Sequence, residues 1–233
     1  MVKESTLESV LQNEMSDFWA VLSNEEKRII SSNFQIQNFR KNEVIYSEGE
    51  KPTHLMFLLK GKVKVYKKGN GDLNQIIRMV RPRQYFGYRA YFANENYVTS
   101  SAAIENTQIG FLPMTIVEDH VRRNNDLAFF FIRSLDNCLG QSDTRTVNLT
   151  QKHIRGRLAE SLIVLLENYG YETNSTTLNI YLSREDLANL SNMTTSNAIR
   201  TLTTFATENL ITVDGRKIII INEEELRRIS KYG

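Results

Sequence analysis

The sequence predicts an α+β chain in three parts: a region of short β-strands, one long helix and a C-terminal winged helix-turn-helix. Three observations carry this. Between positions 34 and 112, short apolar stretches alternate with glycine-centred turn signals. Strand signals then stop, and apolar residues recur at helical spacing over 117–149. Residues 183–221 read as two short helices joined by a tight turn and followed by a hairpin.

In chain order, residues 1–32 look helical, with Phe18, Leu22 and Ile29 on a packing face. Strand signals follow at 55–59 (LMFLL), 63–66 (VKVY) and 75–80 (QIIRMV). Turn signals at Glu48-Gly49-Glu50, Lys60-Gly61-Lys62 and Gly69-Asn70-Gly71-Asp72 punctuate them. Several strands at this spacing argue for a sandwich or barrel. In the long helix only Gly140 interrupts the pattern. Ile132, Leu135, Leu139, Ser142, Thr146 and Leu149 fall alternately three and four residues apart, an a/d seam. That seam packs either on the chain's own barrel or on a second copy. Its change to polar residues at Ser142 and Thr146 is unusual for core and favours a homodimer interface. A strongly apolar helix over 157–166 then ends at Gly170.

Ser183 is a good N-cap for the first helix of the C-terminal pair, and Asp186 adds a first-turn carboxylate. Leu187, Ala188 and Leu190 bury one face, and Asn192-Met193 occupies the turn. The second helix opens at Thr194, with Ala198, Leu202, Phe205 and Ala206 at core spacing. Its opposite face carries Ser196, Asn197, Arg200, Thr203 and Thr204, with no other charge until Glu208. A solvated helix ordinarily mixes Lys and Glu there. A small, polar, nearly uncharged face suits close approach to base edges in a major groove. Asp214-Gly215 marks the hairpin turn between 210–213 and 217–221. The expectation is a reader of double-stranded DNA. Arg200 would meet a guanine, Asn197 an adenine, with Thr195 and Ser196 beside them. Thr194 would hold the helix N-terminus near a phosphate, and Arg184 and Lys217 would supply further cations. A small helical bundle with a hairpin and no nucleic acid is the plainer alternative.

The chain has 233 residues, 41% hydrophobic and 24% charged, with a formal net charge of +2. That balance is typical of a globular chain. No apolar run reaches the roughly 20 residues a bilayer span needs. The N-terminus lacks a signal-peptide core, so a cytoplasmic location without membrane contact is expected. Residues 151–233 hold equal numbers of basic and acidic side chains. DNA binding there would depend on local placement of Lys152, Arg155, Arg184, Arg200, Arg216 and Lys217 rather than on a general basic field. The single cysteine, Cys138, excludes an intramolecular disulfide and a cysteine-ligated iron–sulfur cluster within one chain. His54, His120 and His153 are isolated in sequence, and neither a Gly-x-Ser-x-Gly motif nor a Gly-rich phosphate loop is present. No catalytic residue, metal or cofactor is expected. Haem would have only His54, His120 and Cys138 as axial atoms.

Four stretches, in this order, resemble the cyclic-AMP receptor/fumarate–nitrate regulator (Crp/Fnr) family of bacterial transcription factors. They are 43–50 (EVIYSEGE), 57–65 (FLLKGKVKV), 86–92 (FGYRAYF) and 156–159 (GRLA), with the helix-turn-helix after them. The resemblance covers nearly the whole chain. It implies a cupin-like, cyclic-nucleotide-binding-domain-like β-roll with N-terminal helices over 1–122, a dimerisation helix over 123–150 and a winged helix-turn-helix over 151–233. It also implies a palindromic operator, with RNA polymerase as a further partner. An effector pocket would draw on Phe86, Gly87, Tyr88, Arg89, Ala90, Tyr97, Thr99 and Ser100, with Ser142 and Asp143 supplied by the long helix.

Departures from the family pattern are informative. Members that bind cyclic AMP carry a glutamate after the Phe-Gly pair and an arginine several residues later for the phosphate. Here the glutamate position is Tyr88, and residues 94–102 hold no basic side chain. A buried phosphate without a paired cation is costly, so an effector other than cyclic AMP is expected. The aromatic cassette either lines a pocket for such an effector or fills the roll as core. In the recognition helix the family often has arginine, glutamate and arginine where this chain has Thr195, Ser196 and Arg200, so its operator should differ. The expected function is a homodimeric, sequence-specific regulator whose β-roll acts on the DNA-binding domains through the dimer helix. The alternative is a metabolite sensor with little or no DNA binding.

Overall fold

Ser23 divides the N-terminal helical region in two. Its hydroxyl accepts from the Glu26 N–H, and the Glu26 carboxylate accepts from the Ser23 N–H at 2.7 Å. This capping box starts α2 (Asn24–Asn33) afresh after α1 (Ser16–Ala20). The restart shifts the packing phase. Phe18 and Leu22 are buried as expected, but Ile29 is exposed and Ile30 enters the core in its place. The computed structural model describes residues 11–69 and 74–233. The first ten residues of the expected N-terminal helix, and most of the expected turn at Gly69-Asn70-Gly71-Asp72, lie outside them.

The strand region forms two four-stranded sheets. The strands are β1 (Gln35–Phe39), β2 (Val44–Tyr46), β3 (His54–Lys60), β4 (Val63–Lys68), β5 (Asn74–Val80), β6 (Tyr85–Phe86), β7 (Ser100–Ala103) and β8 (Thr107–Pro113). One sheet has the order β1-β8-β3-β6 and the other β2-β7-β4-β5. At the β3–β4 turn, Gly61 has φ 92°, and a Cβ there would sit 2.4 Å from Thr107 Oγ1, so only glycine fits. The apolar run 55–59 is buried on both faces of its strand. Met56 and Leu58 enter a cluster inside the roll with Val65, Phe86 and Tyr97. Leu55, Phe57 and Leu59 enter a second cluster with Phe18, Trp19 and Phe131. Alternation of side chains across the pleat sorts this one run into two cores.

Short helix α3 (Tyr88–Phe92) follows β6, and α4 (Met114–Val121) follows β8. The helix expected to run unbroken over 117–149 is divided by Asn124. Its side chain accepts from Leu127 N–H at 3.0 Å and donates to Val21 O at 2.9 Å and to the Glu26 carboxylate. That cap opens α5 (Asn125–Gln151), which then runs through Gly140 without a break. The described chain divides into two compact units inside α5. One takes in residues up to Lys67 and Arg78–Gly140; the other takes in the described part of Lys68–Ile77 and Gln141–Gly233.

In the second unit, α6 (Ile154–Tyr169) is followed by α7 (Arg184–Leu190), α8 (Thr195–Thr207), β9 (Ile211–Asp214), β10 (Lys217–Ile220) and α9 (Glu223–Tyr232). A Cβ on Gly156 would lie 2.2 Å from Gly233 O, so the end of α9 packs directly on the backbone of α6. Residues 176–178 bond to the outer edge of β10 through Leu178 N–H to Ile218 O and Ile220 N–H to Thr176 O, both 2.9 Å. Arg145 of α5 is part-buried in this unit, and burial pulls its guanidinium below its ordinary pKa. It donates to Ile76 O at 2.8 Å and to Leu190 O at 2.7 Å, while Gln75 donates to Asn189 O at 2.8 Å.

Candidate nucleic-acid interface

Two caps and a left-handed residue set the helix pair. Ser183 accepts from Asp186 N–H at 2.9 Å, and Thr194 accepts from Asn197 N–H at 3.3 Å. Each such cap contributes about 1 kcal/mol. Asn192, at φ 51°, makes the turn, and Met193, Leu187, Ala188 and Leu190 are buried beneath it. Ala198, Leu202 and Phe205 hold α8 to the core, as the spacing predicted, while Ala206 is half-buried.

The opposite face of α8 presents Ser196, Ile199, Arg200, Thr203, Thr204 and Thr207, all exposed, with Thr195 and Asn197 half-buried beside them. Among the described residues no carboxylate pairs with Arg200. Most other cations proposed for this surface have protein partners. Lys152 pairs with Glu160. Arg155 forks onto Glu208 and lies over the Phe205 ring at 5.0 Å. Arg184 donates to Gly215 O at 2.6 Å, which fastens the hairpin tip to α7 and leaves the guanidinium its charge and its other N–H groups. Lys217 is exposed on the hairpin, its ammonium 5.9 Å from the centre of the Tyr181 ring. Arg216 at the hairpin tip is exposed. Of these cations, Arg184, Arg200, Arg216 and Lys217 have no carboxylate partner among the described residues. Thr194, as N-cap, leaves the first N–H groups of α8 pointing outward, an arrangement that favours an anion.

One feature of α8 was not visible in residue type. Thr201, Thr203, Thr204 and Thr207 each donate their hydroxyl to the carbonyl four residues earlier, at 2.9, 3.0, 3.1 and 3.0 Å. Their donor capacity is used inside the helix, leaving acceptor lone pairs and a methyl group on each.

The expected effector residues of the first unit divide between the roll interior, a second cluster and the surface. Phe86, Ala90 and Tyr97 belong to the cluster inside the roll, with Tyr97 stacked on Tyr46 at 3.9 Å between ring centres. Gly87 has φ 86°, and a Cβ there would meet Met56 Cε at 2.8 Å and Tyr97 OH at 3.3 Å. Tyr88 turns the other way, into the cluster of N-terminal and long-helix residues, where its hydroxyl shares a 2.6 Å hydrogen bond with Ser134 of α5. Arg89 is exposed and paired with Glu95 at 3.2 Å. Ser100 accepts from Glu48 N–H at 2.9 Å, and Thr99 beside it is half-buried. The hydroxyls of Tyr97 and Ser101 are buried without a hydrogen-bond partner. Burial pushes the Tyr46, Tyr88 and Tyr97 phenols above their ordinary pKa, so all three are neutral. Ser142 and Asp143 are exposed and fall in the second unit.

Of the expected seam on α5, Ile132, Leu139, Ser142 and Thr146 are exposed, Leu139 by 61%. Leu135 is partly buried against the first unit's own cluster, and Leu149 is half-buried. Phe129 and Val147 add to the exposed apolar surface of this helix. Among the described residues no group of three His, Cys, Asp or Glu side chains is placed to hold a metal, and no described helix is long and apolar enough to cross a membrane.

Comparison with known proteins agrees with this two-part arrangement. A family model for the cyclic nucleotide-binding domain matches residues 36–124, and one for the Crp-like helix-turn-helix domain matches residues 156–229. The chain is similar to a CRP-like cAMP-activated global transcriptional regulator of Mycobacterium tuberculosis. The two are 20% identical over 200 residues, covering 85% of this chain and 89% of the relative. It is also similar to a global nitrogen regulator of Nostoc sp., 22% identical over 196 residues, covering 83% of this chain and 88% of that one. Among solved structures, FixK2 from Bradyrhizobium japonicum shares the fold with a TM-score of 0.76 at 20% identity, covering 84% of this chain and 96% of that one.

Proposed function

The chain belongs to the Crp/Fnr family of transcriptional regulators, and from that premise we propose that it works as a homodimer reading a palindromic operator in double-stranded DNA. In this reading α8 lies in the major groove and the β9–β10 hairpin lies along the backbone. One observation carries the assignment. Arg200 stands exposed on the uncharged face of α8 without a described carboxylate partner, while Lys152, Arg155 and Arg184 are engaged within the protein. A guanidinium in that position suits bidentate contact with guanine O6 and N7. Arg216 and Lys217 supply phosphate contacts. The exposed Ile132 and Leu139 of α5 pair with their copies, and RNA polymerase is the further partner on the promoter.

The β-roll, in this reading, responds to an effector other than cyclic AMP. Tyr88 holds α5 where a ribose-binding glutamate would stand, and Arg89 faces solvent on Glu95. Cyclic AMP is expected to change neither melting temperature nor DNA affinity. A ligand at one hundred times its dissociation constant adds about 2.7 kcal/mol of stability, so a clear thermal shift with micromolar cyclic AMP would contradict this.

The regulatory assignment is tested by retarding labelled genomic fragments in a gel across a salt series. Selected fragments should stay bound at salt concentrations that release bulk DNA. Release of all fragments together would favour a sensor without sequence-specific DNA binding.

A further inference from the structure

Ile199 stands 47% exposed in the middle of the α8 face that carries Arg200. Its neighbours along that face are Ser196, three residues before it, and Thr203, four residues after it. Single exposed aliphatic residues are ordinary on protein surfaces. The surroundings of this one are not. The Thr203 hydroxyl donates to Ile199 O itself at 3.0 Å, and Thr204 and Thr207 donate to the same helix at 3.1 and 3.0 Å. The C-terminal half of that face therefore offers methyl groups rather than hydroxyl donors, so Ile199 stands in an apolar strip between the donors Ser196, Asn197 and Arg200 and the end of the helix.

We infer that Ile199, with the Thr203 methyl group one turn further on, reads the 5-methyl group of thymine beside the base contacted by Arg200. The inference rests on the DNA-reading assignment and adds a base preference to it. The thymine 5-methyl is the apolar feature of the major-groove edge of a base pair, and apolar side chains recognise it by contact. Ile199 and Arg200 are adjacent on the helix, so their targets lie on neighbouring base pairs. Neighbouring polar groups favour this occupant over a protein surface: the charge of Arg200 and the outward N–H groups at the Thr194 cap suit an anionic duplex.

The test uses the full-length protein and the half-site it selects from random duplexes. Each thymine is replaced singly by deoxyuridine, which keeps every hydrogen-bonding group and removes only the methyl. Wild type should bind about fourfold more weakly at one or two positions next to the guanine, the effect of one buried methyl group. Ile199→Ala should be indifferent to the same replacement, whereas Arg200→Ala should retain the sensitivity. The inference is overturned if wild type tolerates deoxyuridine everywhere, if Ile199→Ala keeps the sensitivity, or if no thymine adjoins the selected guanine. It is overturned in favour of a protein contact if Ile199→Ala changes the oligomeric state and leaves base preference intact. Failure of the wild type to select any sequence would remove the DNA-reading assignment, and the inference with it.

Discussion

Part of the β-roll interior is lined by buried hydroxyl groups, whereas helix α8 carries a row of exposed ones. Ser100, Ser101 and Tyr97 lie inside the roll, two of them with hydroxyls that have no partner, around a core of stacked and tilted aromatic rings. On α8 the hydroxyls of Thr203, Thr204 and Thr207 are exposed and bonded to their own helix. A buried hydroxyl without a partner costs stability unless something else repays it, whereas an exposed one costs nothing. Two hydroxyls inside the roll are thus left unbonded, whereas those on α8 spend their protons on their own helix.

The largest expected effect concerns α5, which runs through both units. Leu139→Glu should yield folded monomers with greatly reduced operator affinity, because its side chain is exposed and would set like charges against each other across the dimer. Leu135→Glu should also lower the melting temperature, because Leu135 packs on its own unit's core. Light scattering with thermal denaturation separates the two, and an unchanged dimer for Leu139→Glu would place the interface elsewhere. Next in size is Arg145→Met. It would leave Ile76 O and Leu190 O without their donor and should cost roughly 2–3 kcal/mol in denaturant unfolding.

Smaller effects sharpen the contrast inside the roll. Tyr88→Phe removes the hydrogen bond to Ser134 and should cost about 1 kcal/mol. Tyr97→Phe removes a buried hydroxyl that has no partner and should stabilise the effector-free protein by a similar amount, about 1 kcal/mol. Equal losses for both variants would mean that the Tyr97 hydroxyl is satisfied in solution.

Local signals made the DNA-binding unit legible. Ser183, Thr194, the buried positions of α8 and the Asp214-Gly215 turn all act within a few residues, so their consequences follow from spacing. What escaped there depended on contacts across the unit. Arg184 meets a hairpin carbonyl and residues 176–178 bond to β10, and neither contact follows from local spacing. α9 carries a local signal of its own, the Asn222 cap followed by three glutamates. In the roll, family resemblance placed five consecutive residues, 86–90, on one pocket. The helical turn of α3 sends Tyr88, Arg89 and Ala90 in three directions: to α5, to solvent and to the roll interior. The two-faced burial of 55–59 was legible as strand, but its division between two cores was not, because alternation shows which residues share a face and not what covers it.

In the proposed complex α8 reads bases while the hairpin holds the backbone. The most direct measurement is a salt titration of affinity for the selected operator and for a scrambled duplex, using wild type, Arg200→Ala and Lys217→Ala. Arg200→Ala should lose roughly 1–3 kcal/mol per half-site on the operator and almost nothing on the scrambled duplex, with the salt dependence little changed. Lys217→Ala should weaken both duplexes alike and flatten the salt dependence by about one ion per half-site. An Arg200→Ala protein that keeps full preference for the operator, or loses equally on both duplexes, would contradict the claim.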